Sequence, residues 1–177
     1  MTWRGDEEFL RATLPTLDLV YNLARRLVRR QADVEDLVQE TYLRAWMAWT
    51  AGSPPRRVEP WLATICLNAG RDQLRRASGR LEVPSGGAGI EWDLPDTGDV
   101  EGEAIARAWR ERVERAMWGL PAEQRIAIAL MDLCGFTAAE VAKLTVHPRG
   151  TILARVHRGR KALARLVAEQ EVRDHAP

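Results

Sequence analysis

Seven bases crowd one stretch of this chain: Lys143, Arg149, Arg155, Arg158, Arg160, Lys161 and Arg165, with no acid in residues 143–168. Such a local excess of positive charge is the electrostatic footprint of a phosphate-bearing partner. The stretch overlaps TAAEVAKLTVHPRGTILARVHRGRK, residues 137–161. Thr137 and Glu140 have capping-box spacing: the hydroxyl takes the third amide and the glutamate reaches back to the cap amide. A short helix to Leu144 follows, then a turn with His147 as a cap before Pro148, then a long cationic helix. Two helices so joined form a helix-turn-helix, whose second helix enters the DNA major groove by its N-terminal half. Arginine pairs bidentately with guanine, and free amides at a helix start attract phosphate. The same residues also suit a hairpin with a solvated cationic face. The 24 arginines among 26 cations also suit a GC-rich genome.

Two more sets have chemical potential. Trp61 and Asn68 accompany Arg56, Arg57, Arg71, Arg75 and Arg76. Aromatics among cations stack unpaired bases while the cations track phosphates; Trp61 alone reads as core. In DVEDLVQETYLRAW, residues 33–46, Asp36, Gln39 and Glu40 share a polar helix face. The helix dipole accounts for acids at a helix start, with Asp33 as the expected N-cap. It accounts less well for Gln39 and Glu40, which leaves a protein-binding face open.

The elements that must position these residues are helices. Leu17, Val20, Tyr21, Ala24 and Leu27 recur at three- and four-residue steps, with Pro15 at a start or kink. Val34, Leu37, Val38, Tyr42, Ala45, Trp46 and Trp49 form the next apolar face, stopped by Gly52, Ser53, Pro54 and Pro55. Pro60 opens a third helix, with its missing N–H in the first turn. Ile105, Trp109, Val113 and Met117 make a four-residue stripe, and Pro121 opens a helix through Leu133 with Gly135 as its stop. No segment alternates at period two, so the expected fold is all-α.

Between these helices, residues 81–104 hold five glycines, two prolines and seven acids, with no Lys or Arg. This segment reads as a linker. It divides the 177 residues into expected domains at 1–80 and 105–177, and the net charge of +1 is a cancellation between its acids and the basic stretch. Each lobe is within the foldable size range.

In that order and with that linker, the motifs resemble an extracytoplasmic-function (ECF) bacterial sigma factor. DVEDLVQETYLRAW and PWLATICLNAGRDQLRR (residues 60–76) resemble the family's region two, and residues 120–163 resemble its region four. The resemblance implies a transcription initiation factor of two helical domains, with core RNA polymerase and promoter DNA as partners. It implies polymerase docking by Asp36, Gln39 and Glu40. Asn68 and Trp61, with the loop at 50–59, would capture the melted minus-ten element, and Arg71, Arg75 and Arg76 would hold its phosphates. Arg149, Thr151, Arg155 and Arg158 would face the minus-thirty-five element. The acidic linker would thread the polymerase cleft, and an anti-sigma factor is the expected controlling partner.

The chain departs from the family pattern at four places. Val146 stands where the turn usually carries Gly, which predicts a reshaped turn because a β-branched residue resists positive φ. Leu153 and Ala154 replace polar positions in the recognition helix. Gly159 replaces Ala, at ~1 kcal/mol of helix propensity. The loop at 52–55 reads Gly-Ser-Pro-Pro.

Other classes explain less. A stand-alone helix-turn-helix regulator leaves Asp36, Gln39, Glu40 and the Trp/Arg helix without a role, and a pure interaction protein leaves the basic stretch unexplained. An enzyme is not expected: no P-loop, GxGxxG or GxSxG occurs. His147, His157 and His175 form no metal set with Cys66 and Cys134, which read as small buried apolar groups, so neither cofactor nor metal is expected. No apolar run approaches the ~18–20 residues of a membrane span, and the acidic start is no signal peptide. The expected setting is the reducing cytoplasm.

Overall fold

The computed structural model describes residues 3–52, 54–78 and 100–174, and every regular element among them is helical. Helix α1 (Trp3–Thr13) ends in a 3-10 turn, Leu14–Thr16, that carries Pro15. Thr13 and Thr16 are buried there, and their hydroxyls donate to the Phe9 and Thr13 carbonyls at 2.8 and 2.6 Å. Helix α2 (Leu17–Leu27) follows directly.

Helix α3 (Gln31–Thr50) starts before the expected cap. The Val34 amide donates to the Arg30 carbonyl at 3.0 Å, and Gln31 bonds both Tyr21 and Glu35. Asp33 is therefore not the N-cap; it lies in the first turn, where a carboxylate still favours the dipole. The helix ends at Gly52, whose φ of 92° is open to glycine alone at little cost. Helix α4 (Val58–Ser78) has Pro60 in its first turn, as expected.

The second half is α5 (Val100–Trp118), α6 (Ala122–Ile128), α7 (Ala138–Thr145) and α8 (Arg149–Asp174). Helix α5 begins inside the segment read as a linker, so residues 100–104 are helical; residues 79–99 lie outside the described residues. The expected α-helix through Leu133 is α-helical only to Ile128 and continues as a π turn, Ala129–Leu133. The Cys134 amide then reaches the Ala129 carbonyl at 3.0 Å, and Gly135 turns the chain at φ 72°.

The expected lobes share one core. Leu23, Leu27, Leu62 and Cys66 belong to the same apolar cluster as Leu130, Val141, Ile152 and Val156. A smaller cluster of Met117, Leu120 and Ile128, with Val113, Leu163 and Leu166 against it, fixes α5 to α8. In the outer half of the α5 stripe, Ile105 and Trp109 are exposed among the described residues.

Polar ties cross the same seam. Glu114 of α5 takes Arg25 at 3.1 Å and Arg26 at 2.5 Å. Arg125 donates to the Arg26 and Leu120 carbonyls at 2.9 and 3.0 Å, and lies 4.0 Å over the Trp118 ring. Burial, with Arg29 and Arg26 nearby, pushes the Arg125 guanidinium down to about 10. Burial likewise lowers Arg25, against the attraction of Glu114.

Candidate nucleic-acid and polymerase interfaces

Helix α3 presents its polar face as its periodicity requires. Val34, Leu37, Thr41 and Ala45 are buried, so Asp36 and Gln39 point outward and are exposed. Glu40 is half-buried and differently engaged. It accepts from Arg44 Nε at 2.7 Å, and Arg44 Nη1 donates to Asp72 of α4 at 3.0 Å. These bonds raise Arg44 above its ordinary value. They also hold the Asp72 carboxyl below the carboxylate range, with Arg44 the larger cause and Arg75 the smaller. Leu43 and Met47 extend the outward face of α3 with exposed apolar surface.

On α4, Leu62, Cys66, Leu67 and Ala69 are buried, leaving Asn68, Arg71, Arg75 and Arg76 exposed along the helix. Arg75 pairs with Asp72, and Arg76 Nε donates to the Asp72 carbonyl at 3.3 Å. Trp61 stands apart from this set. It is half-buried, its ring lies 6.3 Å from that of Trp49, and Trp49 packs edge-on against Phe9 at 5.6 Å. The aromatic cluster that orients Trp61 also occupies part of its surface.

The helix-turn-helix forms as its local signals require. The Thr137 amide donates to Glu140 Oε2 at 2.9 Å, and the Glu140 amide donates back to the Thr137 hydroxyl at 3.3 Å. His147 Nδ1 lies 2.6 Å from the Thr145 carbonyl and its amide reaches that of Ala142 at 3.0 Å, which closes α7. The expected reshaping of the turn does not occur. Val146 itself adopts the left-handed conformation, at φ 56° and ψ 47°, because those two bonds and the packing of α7 on α8 determine the turn around it.

Helix α8 buries Ile152, Val156 and Gly159. Arg149 and Arg158 are exposed and Thr151 is half-buried. Arg155 differs from the expectation that it faces outward: its side chain is 12% exposed and pairs with Glu123 of α6 at 2.7 Å. It lies one residue before Val156 and four after Thr151, so the helical turn aims it at α6. Arg160 is held by Asp132 through two bonds, at 2.9 and 2.5 Å. Arg165 lies 3.5 Å from Glu169.

Two matches cover these faces. Residues 15–80 match the family description Sigma-70 region 2, and residues 110–163 match Sigma-70, region 4. The chain is 33% identical over 154 residues, 86% of its length, to the ECF RNA polymerase sigma factor SigE of Mycolicibacterium smegmatis. It is 31% identical over 148 residues, 84% of its length, to SigM of Mycobacterium tuberculosis. It spans 58% of the first protein and 71% of the second. The chain belongs to the ECF sigma factors.

Solved structures agree in fold. One is the sigma factor RpoE in complex with the anti-sigma factor NepR from Bartonella quintana. It matches at a TM-score of 0.72 and 26% identity, over 92% of this chain and 98% of that one. CnrH in complex with the cytosolic domain of CnrY matches at a TM-score of 0.65 and 22% identity, over 93% and 90% of the two chains. Both alignments span the two lobes together.

In this sigma factor the lobes also touch at the candidate sites. Arg57, in the loop before α4, pairs with Glu140 of the capping box across 83 positions of chain. Glu140 thus serves α7 and the loop at once. Its carboxyl is held down to about 2, first by the Thr137 amide, then by the Thr137 hydroxyl and Arg57. Sequence reasoning placed Arg57 among the DNA-facing cations and Glu140 in the cap, but nothing local signals that they meet. The cysteines are buried or half-buried in the shared core. Burial pushes the Cys66 thiol up to about 12 and that of Cys134 up to about 11, so neither is a nucleophile near neutral pH. Among the described residues no group of three His, Cys, Asp or Glu is gathered as a metal site, and no helix is long and apolar enough to cross a membrane.

Proposed function

We propose that this sigma factor brings core RNA polymerase to promoters in the bacterial cytoplasm as a binding factor, not an enzyme. The observation that carries the reading is the separate exposure of three family motifs on one helical body. The open face of α3, with Asp36 and Gln39, docks on polymerase, and Glu40 supports it through Arg44. The exposed row Asn68, Arg71, Arg75 and Arg76 on α4 holds the melted minus-ten strand, with the half-buried Trp61 at its start. Arg149, Thr151 and Arg158 on α8 face the minus-thirty-five duplex, and Arg155 fixes α8 against α6. The units 1–80 and 105–177 work as region-two and region-four domains. The acidic segment before α5, residues 81–99, lies in the polymerase cleft.

The seam between the lobes bears on control. A shared core, the Glu114 pairs and the Arg57–Glu140 pair hold the lobes together. The RpoE relative with a similar arrangement is bound to an anti-sigma factor. An anti-sigma factor that favours this closed form is the controlling partner that fits, and polymerase binding then requires the seam to open.

The test is a pull-down of host core polymerase with the wild type and with the double variant Asp36→Ala and Gln39→Ala, both exposed positions. Affinity should fall about tenfold or more while the helical circular dichroism is unchanged. Equal affinity in the folded variant would remove the docking assignment. Run-off transcription with the same polymerase on a genomic fragment library should yield discrete starts that depend on the added chain.

A further inference from the structure

An exposed leucine sits on the flank of α8 next to its buried stripe. Ile152 and Val156 turn inward and are buried, and Arg155 is drawn to Glu123. At 100° per residue, Arg149, Leu153 and His157 form a row on the flank of α8 beside the buried stripe, with Leu153 about a quarter-turn from Ile152, and all three are exposed. Leu153 is 42% exposed. Much of its side chain therefore faces water, which an apolar group gains nothing from.

We propose that Leu153 is a specificity-determining residue that reads the C5-methyl group of thymine in the major groove of the minus-thirty-five duplex. The inference rests on the assignment of α8 to that element and names how one of its bases is chosen. Charge selects the occupant. Arg149 is exposed one turn before Leu153, Arg158 and Lys161 are exposed further along α8, and residues 143–168 hold no acid. A surface so charged gathers phosphates, and the groove between two phosphate rows displays one large apolar group, the thymine methyl. Helix α8 continues well beyond this face, to Asp174, so its N-terminal half can enter a groove while its C-terminal half stays on α5. Val146, 87% exposed at the turn just before α8, adds apolar surface to the same edge.

The experiment uses the full chain with core polymerase and a library of duplexes randomised over the minus-thirty-five region. In the enriched duplex each thymine is replaced singly by deoxyuridine, which deletes only the methyl. The wild type should lose roughly three- to tenfold in affinity at one or two thymines, the worth of one buried methyl group. Leu153→Ala should bind the thymine duplex more weakly by a similar factor and no longer distinguish thymine from deoxyuridine there. Val172→Ala, an exposed apolar residue near the far end of α8, should behave as wild type. Changes under twofold at every thymine in the wild type would overturn the inference. So would an unchanged thymine-to-deoxyuridine ratio in Leu153→Ala, which would assign the patch to a protein partner instead. Failure to enrich any sequence would overturn the DNA-reading role of α8 itself, and this inference with it.

Discussion

Replacing Gly159 by alanine should destabilise this protein, although helix propensity alone says the opposite. In a helix interior the exchange gains about 1 kcal/mol. At this position a Cβ would lie 2.7 Å from Ile128 Cδ1, 3.4 Å from Ile128 Cγ1 and 3.2 Å from Gln124 Cβ. The first atom is the end of a side chain and can move. The Gln124 Cβ is fixed to the α6 backbone, so the helices must separate by some tenths of an ångström. Overpacking of that kind costs about 1–3 kcal/mol. The net result is a loss of about 1 kcal/mol, or roughly 2–4 °C in Tm for a chain of this size. Thermal and urea unfolding followed by circular dichroism measure it. Ile128→Val removes the Cδ1 that makes the shortest contact. Alone it should cost about 0.5–1.5 kcal/mol; beside Gly159→Ala it should cost at least ~0.5 kcal/mol less. A Gly159→Ala protein more stable than wild type, or strictly additive double-variant energies, would refute the close approach of α6 and α8. Because α6 sets the seat of α8, the same variant should also weaken duplex binding.

Other expectations follow from the seam and the turn. Glu114→Gln leaves Arg25 and Arg26 without their shared carboxylate. Loss of one partner of a buried pair costs about 3–5 kcal/mol, and Glu114 is 26% exposed, so roughly 2 kcal/mol should be lost in urea unfolding. A loss below ~0.5 kcal/mol would show that the pair does not hold the lobes. The Glu140 carboxyl sits at about 2 against an ordinary 4.5. Its stabilising effect is therefore complete above that ordinary value and is lost as pH falls towards the folded one. Thr137→Ala should flatten this acid limb of the stability profile and cost about 1 kcal/mol at neutral pH; an unaltered acid limb would count against the cap. Val146→Gly should stabilise by about 0.5–1 kcal/mol. It relieves ~1–2 kcal/mol of left-handed strain and returns part of that as unfolded-chain entropy. A less stable glycine variant would mean that the exposed valine side chain supports the turn.

The seam gives the sigma factor two uses for the same charges. Arg57 and Glu140 neutralise each other while the lobes are together. Separation would free Arg57 in the loop that precedes α4, and leave the α7 cap intact through Thr137. A partner that binds across the lobes and a polymerase that parts them would therefore compete through one set of contacts.

What the sequence by itself determined is what depends on near neighbours. The apolar stripes of α2 to α4, the Pro60 start, the capping box of Thr137 and Glu140 and the Gly135 stop all act within about one helical turn, so residue order carries them. The outward position of Asp36, Gln39 and Asn68 follows from the same periodicity. The family pattern then connects these faces to polymerase and promoter. Tertiary structure alone decided which cations are free. Arg155 and Arg158 differ by three positions in one basic run, yet Glu123 captures the first and leaves the second exposed. Asp33 looked like a cap, but the bonds of Gln31 and Arg30 began the helix earlier. Gly159 looked like a propensity cost until α6 was seen against it, and Val146 is held in a conformation its own side chain disfavours. In each case the deciding atom lies on another element or in the bonds that close a turn. The free energy of packing and pairing there, a few kcal/mol, exceeds the ~1 kcal/mol preferences that local sequence expresses.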